Sequence, residues 1–405
     1  MLRFIAPMFS LILLLVGSGF FMTYITIRLN LIADNKYIIF LLGGIHAAYY
    51  SGLILGALTL EKFIVRVGHI RAFATFASLL AITIVIQGLF IIPFIWIALR
   101  FIAGMSFAAL YIVIESWLLS ESSEVTRGKV LALYMGGIYC SQAAGNLFTG
   151  IVKIDTLTPF LLAAGFCTAA VIPVAITKRP SPTIHEITHL KLSYCIKKSR
   201  FGFFGCLAAG LIISSIYSFL PDVAIDNQLS TATMMSLTIV GGFLLQWPIG
   251  LLSDIFPRRK MLIAVSAILT IPCAIAFFST HLPWLHYSLC FVIGSLSFVI
   301  YPISIAKVCD MLEQNQILSA TSALLVVYGV GAALGPILVS TFVHLFNSSY
   351  IFVYISLIAA CLAIFGFYTL QQVDGPETDS SEFIAMANVT PIANELDPRS
   401  DPIKE

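Results

Sequence analysis

The sequence predicts an all-α integral membrane protein of twelve transmembrane helices arranged as two six-helix halves. Three observations carry this expectation. The 405 residues are 59% hydrophobic and only 10% charged, against about 25% charged in an average soluble domain, and the mean hydropathy is +0.98. Apolar runs of the roughly 20 residues that a bilayer core demands recur along the chain. A polar, proline-containing break separates them into two sets.

The first set lies near residues 6–28, 38–60, 71–92, 94–118, 129–150 and 157–177. The first run follows Arg3 and mimics a secretory leader, but it continues to about Ile27 without a small-residue cleavage site and is read as a span. The second set lies near 201–222, 233–255, 261–280, 283–306, 317–345 and 350–370. Between the sets, KRPSPTIHEITHLKLSYCIKKSR (178–200) combines prolines with Lys and Arg and reads as a linker. After Gln371 the chain is polar and interrupted by Asp, Glu and Pro, the composition of a disordered segment. The expected organisation is therefore a first bundle over 1–178, a cytoplasmic linker over 179–200, a second bundle over 201–371 and a disordered cytoplasmic tail over 372–405.

Basic residues orient these spans. With the N-terminus in the cytoplasm, that side receives Arg3, Lys62, Arg66, Arg71, Arg127, Lys129, the linker, Arg258, Arg259, Lys260 and Lys307. The other side keeps Arg28, Lys36 and Lys153. Lys and Arg are retained on the cytoplasmic face, so both termini are expected inside.

The halves read as repeats. At an offset of 190, Phe101, Gly104 and Tyr111 meet Phe291, Gly294 and Tyr301; at 194, Tyr134 and Gly137 meet Tyr328 and Gly331. An even number of spans per half makes such repeats parallel, related by an axis along the membrane normal.

Within the fourth span, Arg100, Gly104, Ala108, Tyr111 and Glu115 fall on one helical stripe among apolar faces. A charge in lipid must turn toward protein or water, so this stripe predicts an internal cavity or gate. Further polar residues within spans extend the candidate substrate cavity: Tyr24; His46, Tyr49 and Tyr50; Tyr139, Gln142 and Asn146; and, in the second half, Tyr217, Gln246, Trp247, Tyr301 and Tyr328. Gly52 with Gly56 and Gly331 with Gly335 form small-xxx-small pairs that permit close helix approach. Such pairs suit either tight packing within a half or a sliding surface.

Two parallel six-helix halves joined by a basic linker resemble the major facilitator superfamily of secondary transporters. That family's signature loop, roughly G-x3-D-x3-G-x-R-[KR], is degenerate in the first half, where Gly56 is followed by RVGHIR from Arg66 to Arg71 and the usual Asp is missing. Its repeat copy is clearer, GLLSDIFPRRK, with Gly250, Asp254, Arg258, Arg259 and Lys260. Arg100 followed by Gly104 resembles the R-x-x-x-G signature associated with proton coupling. RVGHIRAF, YIVIESWL, RGKVLALYM, YPISIAK and YGVGAALGP resemble the YcaD-like bacterial branch, and the resemblance spans about residues 5 to 370. It implies the MFS fold, alternating access, a bacterial inner membrane and a cytoplasmic gate made by Arg66, Arg71, Glu115, Arg127, Asp254, Arg258 and Arg259. An acid at the Glu115 position pairs with the signature loop in that family, so a latch between Glu115 and Arg66 is expected.

Other classes of function are disfavoured. The eight cysteines show no CxxC pair and sit mostly in apolar segments, as packing residues do. His185-Glu186-Ile187-Thr188-His189 is a literal H-E-x-x-H, but it lies in polar linker sequence and lacks a third ligand nearby. No Walker-type loop is present, no basic tract suggests nucleic acid at a net charge of +2, and neither an enzymatic activity nor a cofactor or metal is expected. The sequence therefore predicts a monomeric secondary active transporter of a small molecule in a lipid bilayer, driven by protons. A uniporter of the same fold is the alternative, ahead of a non-transporting sensor or a linker metalloprotease.

Overall fold

A computed structural model describes residues 5–32, 38–122, 126–176, 192–279, 282–312, 314–369 and 390. In lipid every backbone polar group must be satisfied within its own segment, and long apolar runs therefore become helices. The first half contains α1 (Ile5–Ile32), α2 (Ile38–Thr59), the short α3 (Glu61–Val67), α4 (His69–Leu89), α5 (Pro93–Glu121), α6 (Arg127–Leu147), α7 (Thr158–Ala169) and α8 (Val171–Ile176). After α9 (Leu192–Lys198) come α10 (Arg200–Asp226), α11 (Thr231–Ile255), α12 (Arg258–Phe278), α13 (Pro283–Cys309), α14 (Gln314–Leu345) and α15 (Tyr350–Thr369).

Among the described residues, eleven helical stretches are long and apolar enough to span a bilayer, with α7 and α8 forming one of them. The 21-residue α6 occupies the place of the remaining span. Arg127, Lys129, Gln142 and Asn146 dilute its apolar character.

The internal repeat is visible in the packing. Pro93 and Pro283 each open a helix at its first turn, where the missing N–H costs nothing. In the first half Gly104 of α5 and Gly52 of α2 leave no room for a side chain, because a Cβ would overlap Tyr49 O and Phe101 O respectively. In the second half Gly294 and Gly241 hold the same relation to Thr238 O and Phe291 O, so α11 crosses α13 as α2 crosses α5.

These placements settle the two uses open to the glycine pairs. Gly56 packs on α5, where a Cβ would stand 2.8 Å from Ala108 Cβ, and Gly331 and Gly335 face Leu207 O and Leu211 O of α10. All four therefore tighten helix pairs inside one half, and the sliding-surface reading is corrected. The halves approach each other through other positions: a Cβ on Gly43 of α2 would meet Pro336 O of α14 at 2.7 Å.

Because successive spans alternate in direction, the ends bearing Lys62, Arg66, Arg71, Arg258 and Arg259 share a basic face. The ends of α1 and α10 at Ile32 and Asp226 lie on the far face. The bundles are joined from mid-depth toward that far face. Tyr217 OH donates to Gln142 Oε1 at 2.8 Å, Ser236 Oγ to Ala143 O at 2.8 Å and Thr26 Oγ1 to Ser218 O at 3.0 Å. Asn30 Nδ2 donates to Asp222 Oδ1, and the Phe40 and His344 rings lie 4.5 Å apart.

Candidate transport cavity

A cavity of about 100 Å³ lies on the seam between the halves. Since one water needs about 10–15 Å³ by this measure, it holds several waters and little more. Its walls come from α1 (Ser18, Gly19, Met22), α2 (Tyr49, Tyr50), α5 (Tyr111), α6 (Ile138, Tyr139, Gln142), α10 (Ile213, Tyr217), α13 (Phe298) and α14 (Tyr328). Six tyrosines line it, and among the described residues no Lys, Arg, Asp or Glu does. The rings support one another: Tyr139 packs on Phe243 and Phe298 at centroid distances of 5.7 and 5.6 Å, and Tyr217 on Phe298 at 6.1 Å. The resulting surface offers flat apolar faces and hydroxyl or amide hydrogen-bonding groups.

Of the candidate residues from sequence, Tyr49, Tyr50, Tyr111, Tyr139, Gln142, Tyr217 and Tyr328 line this cavity. Arg100 does not. It is 2% exposed, with its guanidinium carbon 4.6 Å from the Tyr49 ring centroid and 5.6 Å from that of Phe21, and its Nη2 touches Met22 Sδ. Tyr49 and Met22 thus stand between the cation and the cavity. Among the described residues no carboxylate pairs with Arg100, and aromatic faces and a polarisable sulfur surround its charge.

Six other candidates are displaced from the cavity for identifiable reasons. Tyr24 packs in an aromatic cluster of the first half and donates to Ile154 O at 3.0 Å. Asn146 is bonded to Thr23 within the same half. His46 lies on the far-side seam, with Nε2 3.2 Å from Thr26 Oγ1. Gln246 is buried with Nε2 unpartnered, and Tyr301 sits behind Tyr328, ring centroids 4.8 Å apart. Trp247 is 68% exposed on the outside of the bundle, where an amphipathic ring suits lipid.

At the basic face, Glu115 is buried and accepts from Tyr134 OH and from Thr390 Oγ1. Arg66 and Arg71 are exposed, and Arg66 forms no ion pair among the described residues, so the expected Glu115–Arg66 latch is absent from this conformation. Arg127 is half-buried nearby in sequence to α5's end. The second-half copy is a tight cluster: Arg258 Nε lies 2.9 Å from Asp310 Oδ2, and its Nη2 3.3 Å from Asp254 Oδ1, with Arg259 buried beside it. Asp310 was missed in the sequence because it lies just past the apolar run 283–306 and looks like loop. Thr390, the described residue of the 372–405 stretch, is fully buried and so is not free in solvent. The H-E-x-x-H residues lie outside the described residues.

A helical membrane protein with a repeat-related pair of bundles and a polar aromatic cavity on their seam has the build of a membrane transport protein. The family model for the Major Facilitator Superfamily matches residues 8–236 and 202–395, and the chain belongs to that superfamily. Relatives in Escherichia coli O139:H28 (strain E24377A / ETEC) and Shigella sonnei (strain Ss046), both named as the uncharacterized MFS-type transporter YcaD, are 28% identical over 321 residues, covering 78% of this chain and 82% of theirs. Among solved structures, a mutant of the nucleoside transporter NupG superposes with a TM-score of 0.71 at 13% identity, covering 91% of this chain and 100% of that one. A bacterial homolog of the human lysosomal transporter Spinster, in an inward-facing and occupied conformation, gives 0.73 at 13% identity over 91% and 96%. At such identities the likeness is one of fold.

Proposed function

We propose that the protein is a secondary transporter that moves a compact, uncharged or weakly polar organic molecule by alternating access, coupled to a proton gradient. The lining of the seam cavity carries this reading. Tyrosine hydroxyls and the Gln142 amide provide hydrogen bonds, while ring faces provide apolar contact and no fixed charge demands a counter-ion. A site built to hydrogen-bond a neutral solute leaves its polar groups unpaired when the solute lacks them, which gives selectivity. The basic face is cytoplasmic by the distribution of Lys and Arg, and the conformation described is then closed toward the outside. Alternating access follows as the rocking of one bundle against the other around this central site.

The test is a metabolite and drug-susceptibility profile of a deletion strain, followed by uptake of the solute it identifies into proteoliposomes with and without a pH gradient. Accumulation that needs the gradient supports the proposal. Equilibration that ignores the gradient replaces it with uniport, and the absence of flux for every solute the profile indicates removes transport.

A further inference from the structure

The far-side seam contains a polar ladder that neither the cavity nor the basic-face clusters use. Thr26 and Asn30 of α1 stand one helical turn apart, as do Ser218 and Asp222 of α10, so each pair shares a face. Thr26 bonds Ser218 O and Asn30 bonds Asp222, both across 192 residues of sequence. The opening helices of the two halves therefore meet at repeat-related positions, and the ladder joins one bundle to the other.

Its lowest rung is an acid. Asp222 is 5% exposed and receives a hydrogen bond from Asn30 on Oδ1, which leaves Oδ2 as the position that can carry a proton. Among the described residues its surroundings bring no cation. On α10 itself the charged neighbour is Asp226, a second acid. From α1, Arg28 is turned away, with Nη1 3.4 Å from Ile154 O. From α2, His46 is bonded to Thr26; from α14, His344 lies on Phe40; from α13, His286 is bonded to Ser279 at 3.3 Å. Spans α11 and α15 carry no ionisable group toward this end other than tyrosine. The hydroxyl proton of Thr26 is committed to Ser218 O, so the 3.2 Å contact requires His46 Nε2–H to donate. The other ring nitrogen of His46, Nδ1, is buried and unpartnered.

We propose that Asp222 is a proton-binding site of the seam, and that the bundles close on the far side only when its carboxyl is protonated. The inference goes beyond the proton-coupled reading above: it makes far-side closure, and not proton translocation, depend on one proton at one residue. An ionised carboxylate buried without a cation loses its hydration uncompensated. Parting the bundles would return Asp222 to water, where the carboxylate is stable. One proton from water on the far side adds to Oδ2 as the seam closes and returns to water as it opens, and only this O–H bond forms and breaks. Closure linked to a single proton changes by up to about tenfold per pH unit.

The experiment uses the full chain in lipid nanodiscs, with exposed Cys140 and Cys361 replaced by Ser and spin labels placed through Ile151→Cys and Phe346→Cys, exposed positions at the far ends of the two halves. Pulsed EPR distances are read at low and high pH. In the otherwise unaltered chain, the far-side-open population should grow with pH. Asp222→Asn should hold the closed distance at both pH values, and Asp222→Glu should keep the response with a displaced midpoint. If the Asn variant does not fold, an unchanged midpoint in the Glu variant overturns the proposal. A normal pH response in Asp222→Asn also overturns it, while leaving proton coupling to another group. A wild-type seam indifferent to pH overturns the proposal and leaves the proton-coupled reading to the uptake assay, and a response to sodium at fixed pH would assign the carboxylate to a metal cation instead.

Discussion

Tyr49 covers Arg100: the guanidinium carbon lies 4.6 Å from the ring centroid, while Tyr49 itself lines the seam cavity. A cation held one layer behind the wall acts on the cavity through that ring and through Met22, without meeting a solute directly. Arg100→Lys keeps the charge but loses the planar fork that stacks on rings. Cation–π contact in a desolvated site contributes up to about 2 kcal/mol, so uptake should fall about tenfold while membrane abundance and melting temperature stay near wild type. Equal transport by Arg100→Lys and Arg100→Ala would remove this role. Failure of both to accumulate would make Arg100 a structural anchor.

Tyr217 OH and Gln142 Oε1, 2.8 Å apart, join opposite halves at the cavity wall. Tyr217→Phe removes one hydrogen bond and leaves the ring, a loss of about 0.5–1.5 kcal/mol. The expected outcome in uptake kinetics is a KM raised a few-fold with folding unaffected. An unchanged KM would show that this hydroxyl does not meet the solute.

Closure on the far face should be trappable. A Cβ on Gly150 would stand 3.4 Å from Ala232 Cβ, near the roughly 3.8 Å found between the Cβ atoms of a disulfide. Gly150→Cys with Ala232→Cys is expected to cross-link on oxidation, abolish uptake and recover it on reduction. Full transport by the cross-linked protein would exclude far-side opening from the cycle.

Gly335 should matter for folding and not for switching. Its missing side chain admits Ser214 and Leu211 of the same half. Gly335→Ala overpacks that crossing at a cost of about 1–3 kcal/mol, and Gly335→Leu should reduce folded yield in the membrane. A stable Gly335→Leu protein locked in one orientation would restore the sliding reading.

The Arg258–Asp310 pair is buried, at 3% and 6% side-chain exposure. Removing one partner of such a pair leaves an uncompensated charge and costs about 3–5 kcal/mol. Asp310→Leu should therefore lower thermal stability sharply, and Arg258→Met combined with it should recover part of the loss. Additive losses would show that the two side chains are not coupled.

The sequence by itself determined the class, the spans, the break between halves and the repeat. Hydropathy must match a bilayer residue by residue along the helix, and the Gly104 and Gly294 positions carry one packing solution used twice. It also named seven of the cavity's residues, because a polar side chain within an apolar run has few places to go. Which way each one faces was decided only by the tertiary structure. Tyr24 and Trp247 share the amphipathic character of Tyr50 and Tyr217, yet one fills the core of a half and the other meets lipid, since helix rotation is set by neighbouring helices. Arg100 looked like a cavity residue because its stripe faces inward, and the intervening Tyr49 ring comes from another helix. Asp222 was taken for the end of a span, because an acid marks a boundary in hydropathy. Only the continuation of α10 to Asp226 and the approach of Asn30 from 192 residues away place that acid inside the seam.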